Sequence, residues 1–309
     1  MVMEGRLMVN RLLPDGSVRA VTLYHVSLEG LESALICRDE EDYDHMVKNI
    51  FLRALGVNVI VVIYGVVSNH AHVAILAASM EDAVKFANEV KKVQSMWLRR
   101  KYGEINLMLG HAADVTPVVT IQHARNVLAY IPRNALDNGA DNVELYKWTG
   151  YRGMFCNGAV DGRTVRVSEL STRKVESIMH TGTDLSGVSW LLNERGEIEP
   201  ASACDWRFLE ALFNHDQAFF MRKIGDVNSA EITFRQSIEK SRKMTDGEFL
   251  KYVDSLSVRW YQSTTEGLSP AQKIKFLEYI SKKVNLSVPQ VARCLKLDRN
   301  TVAKVLGRK

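Results

Sequence analysis

The chain has 309 residues, 46% of them hydrophobic, which is enough apolar material for two or three modest cores. A formal charge of +4 and a pI near 8.8 are mildly basic and permit a nucleic-acid partner without requiring one. The four cysteines, Cys37, Cys156, Cys204 and Cys294, are dispersed with no Cys-x-x-Cys pair, so they read as reduced thiols and not as a disulfide frame or zinc knuckle.

From the N-terminus, Met1 to Pro14 mixes charges with apolar residues, and no later stretch approaches the roughly 18 apolar residues of a membrane span. Neither secretion nor membrane insertion is expected, and the expected location is the cytoplasm. Val18 to Leu28 reads as a strand, Glu41 to Leu55 as a helix, and Val57 to Val67 as a buried strand rich in Val and Ile. That strand ends in Tyr64-Gly-Val-Val-Ser-Asn-His-Ala-His-Val73. Side chains alternate along a strand, so His70 and His72 share a face and are close enough to grip one metal ion.

A second helix is expected over Met80 to Tyr102, with Ser79 and Asp82 spaced as a capping box and Gly103 as its stop. A third begins after Thr120 as N-cap and runs through Tyr130 and Asn134 towards Gly139. These residues are four apart, hence one turn apart on one face. Pro132 lies between them, where a proline deletes a helical hydrogen bond and crowds the carbonyl of Leu128, which predicts a kink.

Beyond about residue 160 strand signals fade. Trp206 to Phe220, Glu231 to Lys243 and Asp246 to Trp260 carry helical spacing, with linkers expected at Asn157 to Arg163 and Ser263 to Pro270. The last forty residues outline a helix-turn-helix: a helix over Pro270 to Lys283, a second capped by Ser287 and running through Leu295, and a third capped by Asp298 and reaching Gly307. Ala271 to Lys309 holds ten basic residues against two acidic ones, as counterion release from a phosphate backbone favours. Arg293, Arg299, Asn300, Thr301 and Lys304 are the expected DNA-contacting residues, with the polar start of the third helix entering a major groove. A small helical bundle with a solvated basic surface is the competing account. The expected division is 1–158, 159–265 and 266–309, with the middle region orienting the other two or dimerising; monomer and homodimer both stay open.

Four segments, in order, carry a resemblance: Tyr24-His-Val-Ser27, Tyr64 to Val73 with its His-x-His ending, Tyr130-Ile-x-x-Asn134, and Tyr146-Lys-Trp-Thr-Gly-Tyr-Arg152. Over roughly residues 18 to 155 the chain resembles the transposase domain of the single-tyrosine HUH nucleases, most closely the REP-associated tyrosine transposases. The resemblance implies an α+β fold, an antiparallel-sheet, ferredoxin- or RRM-like HUH domain with flanking helices, followed here by a helical region. It implies Tyr130 as nucleophile, His70, His72 and Asn134 as ligands of Mg²⁺ or Mn²⁺, and single-stranded or hairpin DNA as partner in a nucleoid-associated setting.

In such enzymes the tyrosine attacks single-stranded DNA and stays attached as a 5′-phosphotyrosine, releasing a 3′-hydroxyl. A mixed imidazole and oxygen shell with open positions suits Mg²⁺ or Mn²⁺ better than a closed zinc site. The family more often places its proline after the asparagine, where this chain has Ala135. Its tyrosine helix is usually preceded by a basic segment, where this chain has Gly110-His-Ala-Ala-Asp-Val115. A transposase descendant that binds DNA without cutting it is the main alternative. A plasmid relaxase ranks last, since its nucleophile usually lies near the N-terminus. Among the ten tyrosines, Tyr102 beside Arg99-Arg100-Lys101 is the rival nucleophile, although finishing an amphipathic helix is its simpler role, and Tyr24 and Tyr64 read as sheet residues.

Overall fold

The structure, a computed structural model, describes residues 2–3, 6–30, 34–103, 108–109, 113–137, 140–160, 162–225, 245–281 and 286–307. It is a mixed α+β protein built on an antiparallel sheet. The strands are β1 (Val2–Met3), β2 (Arg6–Leu12), β3 (Val18–Glu29), β4 (Ile60–Val66), β5 (His70–Ala77) and β6 (Asp114–Val118). Their order is β1-β2-β3-β5-β4. One edge of β3 pairs with β5 over residues 22–29; its other edge is shared end to end, residues 18–22 with β2 and 23–27 with β6.

Helices cover both faces of this sheet. On one lie α1 (Glu40–Val57) and α2 (Met80–Tyr102), which bury Ile50, Phe51, Phe86 and Val90 against Tyr64 and its neighbours; the Phe51 and Tyr64 rings meet edge to face at 5.5 Å. The ends of both helices are set by local chemistry. Asp39 accepts from the Asp42 N–H at 3.0 Å, and Asn58 closes α1 in the left-handed conformation. For α2, Ser79 accepts from the Asp82 N–H, and Gly103 at φ +72° returns its N–H to Arg99. The expected reciprocal capping box takes another form: the Ser79 hydroxyl donates to the Asp82 carboxylate at 2.8 Å.

The opposite face carries α3 (Ile121–Asp137), started by Thr120, whose hydroxyl accepts from the His123 N–H at 3.1 Å. Pro132 sits inside a helix that continues past it. Gly65 of β4 is what lets α3 come so near: a Cβ at that position would stand 2.7 Å from the Ile131 carbonyl oxygen.

The free edge of β4 is closed by the chain itself. The Val66 N–H donates to the Trp148 carbonyl, Tyr146 donates to the Val66 carbonyl at 2.8 Å, and the Thr149 hydroxyl to that of Tyr64 at 3.1 Å. Further along, the Asp205 N–H donates to the Val61 carbonyl at 2.9 Å.

The second half departs from expectation in three places. A small antiparallel pair, β7 (Thr164–Arg166) with β8 (Leu191–Asn193), lies where no strand is expected, next to α4 (Thr172–Met179). The helix expected over Trp206 to Phe220 is two helices, α6 (Trp206–Leu212), preceded by the short α5 (Pro200–Ala203), and α7 (217–225). The break between them holds Asn214 and His215 in the left-handed conformation. Glu231 to Lys243 lies outside the described residues. Beyond it come α8 (Asp246–Tyr261), α9 (Pro270–Ile280), α10 (Val288–Leu295) and α11 (Arg299–Val305), the last two capped by Ser287 and Asp298 as the sequence leads one to expect.

Buried apolar residues fall into two clusters. The larger runs from Leu7 to Ile224 and includes Val167, Leu192, Trp206 and Phe220, so residues 162–225 share the core of the sheet. The smaller joins Phe249 and Val253 of α8 to Phe276, Leu277, Val291 and Val302, so α8 packs with the C-terminal helices. All four cysteines are free thiols, and no described helix is long and apolar enough to cross a membrane.

Candidate active site

Cross-strand register assembles the site. Ser27 of β3 pairs with His72 of β5, Glu29 with His70, and Gly65 of β4 with His72. Residues directly opposite one another point to the same face, and so do residues two apart, so His25, His70 and His72 all project towards α3. From α3 come Tyr130 and Asn134. These five side chains are buried, Tyr130 being 6% exposed and Asn134 1%.

The geometry within this group is close. The Tyr130 hydroxyl lies 3.4 Å from His72 Nε2, and the rings are 5.1 Å apart. Asn134 Oδ1 lies 3.3 Å from His70 Nε2, and the two imidazoles are 4.8 Å apart. The Asn134 amide has its orientation fixed by the helix, since Nδ2 donates to the carbonyls of Tyr130 at 2.9 Å and Ile131 at 3.3 Å. Its oxygen must therefore face the histidines.

That orientation has a chemical consequence. His70 Nδ1 lies 3.0 Å from Asn69 Oδ1, so this imidazole has an amide oxygen at each nitrogen. A neutral ring has one N–H and can donate to only one of them. At the other nitrogen two lone pairs face each other, an arrangement that a second ring proton or a cation between them relieves. The 3.3 Å separation is also close to the spacing of about 3.0 Å between neighbouring ligands on bonds of about 2.1 Å around a small cation. The donor set of two imidazoles and an amide oxygen thus fits a divalent ion. Among the described residues no trio of His, Cys, Asp or Glu is grouped to hold a metal, so any such ion would depend on the amide as third ligand.

Of the residues expected from sequence, His70, His72, Tyr130 and Asn134 come together. Three others in this neighbourhood, His25, Asn69 and Gly65, received no role. The sequence offers one faint signal, a glycine inside an apolar strand; His25 and Asn69 gain their neighbours only through strand pairing and the turn before β5. The competing tyrosines are occupied elsewhere. Tyr102 donates to Asp42 and Asp39, and its phenol is pushed up to about 12 by lost hydration and by those two hydrogen bonds. Burial, with nearby negative charge adding to it, raises Tyr24 and takes Tyr64 well above the ordinary range.

The expected DNA-contacting residues are divided. Arg299, Asn300 and Lys304 are exposed on α11, and Thr301 donates its N–H to the Asp298 carboxylate at 3.0 Å. Arg293 on α10 forks onto Asp246 of α8, at 2.7 and 2.9 Å, so its guanidinium ties two helices together. Gly110 to Ala112 of the segment before the tyrosine helix lie outside the described residues.

No protein-family model, no curated protein and no solved structure matches this chain.

Proposed function

We propose that the protein is a metal-dependent, single-strand DNA nuclease and strand transferase of the HUH tyrosine type, acting on hairpin ends of a mobile or repeated element. The observation that carries this reading is the convergence of Tyr130, Asn134, His70 and His72, brought from one helix and one strand to contacts of 3.3 and 3.4 Å. The antiparallel sheet with helices on both faces is compatible with an HUH domain. The Lys296-Leu297 turn between α10 and α11, with Arg299, Asn300 and Lys304 exposed, is compatible with a helix-turn-helix that grips duplex DNA near the cut.

His70, His72 and Asn134 would hold Mg²⁺ or Mn²⁺, which supplies positive charge beside the scissile phosphate. The rest belongs to the chain. Tyr130 Oη forms a bond to phosphorus as the bond to the 3′ oxygen breaks, leaving a 5′-phosphotyrosine and a 3′-hydroxyl. The phenol gives up its proton in that step and the departing 3′ oxygen takes one up. His72 Nε2 lies 3.4 Å from the hydroxyl, so an ion held there would stand beside the phenol. Asn134, tied to the helix backbone, keeps its oxygen aimed at His70 while the strand exchanges. Because the ester bond energy is kept in the phosphotyrosine, the 3′-hydroxyl can reverse the step without a nucleotide cofactor.

Incubating the full chain with a labelled single-stranded hairpin and Mn²⁺ is expected to give a protein–DNA adduct that survives detergent, and Tyr130→Phe is expected to abolish it. An adduct that persists in Tyr130→Phe excludes this nucleophile. The 6% exposure of Tyr130 favours a second reading, a DNA-binding regulator that keeps the fold without cutting. DNA bound with no adduct from any hairpin selects it.

A further inference from the structure

Two side chains with no part in that chemistry touch the far nitrogens of the two histidines. His25 Nε2 lies 3.1 Å from His72 Nδ1, and Asn69 Oδ1 lies 3.0 Å from His70 Nδ1. Both contacts are buried and come from different elements, His25 from the middle of β3 and Asn69 from the turn before β5. In each case the engaged nitrogen is Nδ1, and in each case Nε2 points at a group from α3: Tyr130 for His72, Asn134 for His70.

We propose that His25 and Asn69 are positioning residues that set the hydrogen-bond polarity of the pair, each accepting the Nδ1 proton of its histidine so that both Nε2 lone pairs face the site. This rests on the metal-dependent reading above and deepens it. His70 faces an amide oxygen at each nitrogen and has one proton to give; with Nε2 turned to the cation, that proton goes to Asn69 Oδ1. For His72 the polarity follows from its other side. An Nε2 that is to face a cation keeps its lone pair, and can meanwhile accept from the Tyr130 hydroxyl 3.4 Å away, which leaves the ring proton on Nδ1 and makes His25 Nε2 the acceptor. The reverse arrangement, with His25 donating, would place a proton on His72 Nε2 and close that atom to a cation. Ligand histidines are commonly fixed in this way by an acceptor on the second nitrogen, and losing that partner typically weakens metal affinity by about 10–100-fold.

His25 also explains why β3 keeps a histidine in its core. Its ring stands 5.0 Å from that of His72 and 6.2 Å from that of Tyr130, so one side chain touches the ligand and flanks the nucleophile.

The test uses the full chain and Mn²⁺ alone, with affinity read by electron paramagnetic resonance and ring protonation read by ¹⁵N NMR of metal-free protein. Wild type is expected to bind Mn²⁺ and to show His72 protonated on Nδ1. His25→Leu and Asn69→Leu are expected to weaken binding by about 10–100-fold. His25→Gln, which offers an amide oxygen as acceptor, is expected to recover most of the loss. Equal affinities for His25→Leu and His25→Gln would overturn the role of His25 while leaving the metal reading intact, and so would a wild-type His72 protonated on Nε2. That NMR result needs no variant to fold. Wild type that binds no Mn²⁺ overturns the metal reading and this inference with it.

Discussion

At the scale of single residues, strand register decides which side chains meet: Ser27 of β3 stands opposite His72 of β5, and His25 Nε2 comes within 3.1 Å of His72 Nδ1. His70 and His72 announce themselves by alternation within one strand. Tyr130 and Asn134 do so by helical spacing. His25 does not, because its role exists only once β3 is set against β5 in the register that places Ser27 opposite His72. The same limit hid His45, a histidine on a helix with nothing unusual around it in sequence. In the fold it is buried, stacked on Trp97 at 4.1 Å and 2.8 Å from Gln94 Oε1. Burial pushes its imidazole down to about 4. Below an ordinary value near 6.5 the unfolded chain takes up a proton that the folded chain refuses, so stability falls as pH drops from about 6.5 to about 4 and levels off below. Urea titrations at pH 7 and pH 4.5 are expected to differ by up to about 3 kcal/mol from this source, with His180, also shifted down by burial, acting in the same direction. His45→Gln is expected to shrink that difference; an unchanged pH dependence would remove His45 as its cause.

At the scale of elements, the helices that could be read in advance are those whose ends are written in local residues. Ser79 and Gly103 bound α2, and Ser287 and Asp298 start α10 and α11. β7 and β8 were missed because three residues each are too few to show a period. The split between α6 and α7 was missed because Asn214 and His215 adopt the left-handed conformation without a glycine to signal it. For α3 the sequence predicts a kink at Pro132; the helix runs on past it, and the Ile131 carbonyl faces bare backbone at Gly65. Gly65→Ala is expected to push α3 outwards, cost roughly 1–3 kcal/mol in thermal or urea unfolding, and lower adduct formation though no reacting residue has changed. Full adduct yield in Gly65→Ala would show that the helix position is not critical.

At the scale of the whole molecule, the buried apolar residues form two clusters. Residues 162–225 complete the sheet's core, and α8 belongs with the C-terminal helices, because apolar periodicity says that a helix has a buried face but not what buries it. The Lys251 side chain of α8 reaches the Leu136 carbonyl in the last turn of α3 at 2.7 Å, a polar link between the two cores. If the C-terminal unit grips duplex DNA, Arg299→Ala with Lys304→Ala is expected to weaken binding and lower the slope of log affinity against log salt by about 2. An unchanged slope would leave α11 without phosphate contacts. One feature also bears on solubility at high concentration. An unpaired strand edge is a template for recruiting another chain, and β4 would offer such an edge with Val61 to Val66 behind it. The Tyr146–Thr149 segment and Asp205 already occupy its hydrogen-bonding groups, so aggregation by strand addition is blocked on that side for as long as those residues stay docked.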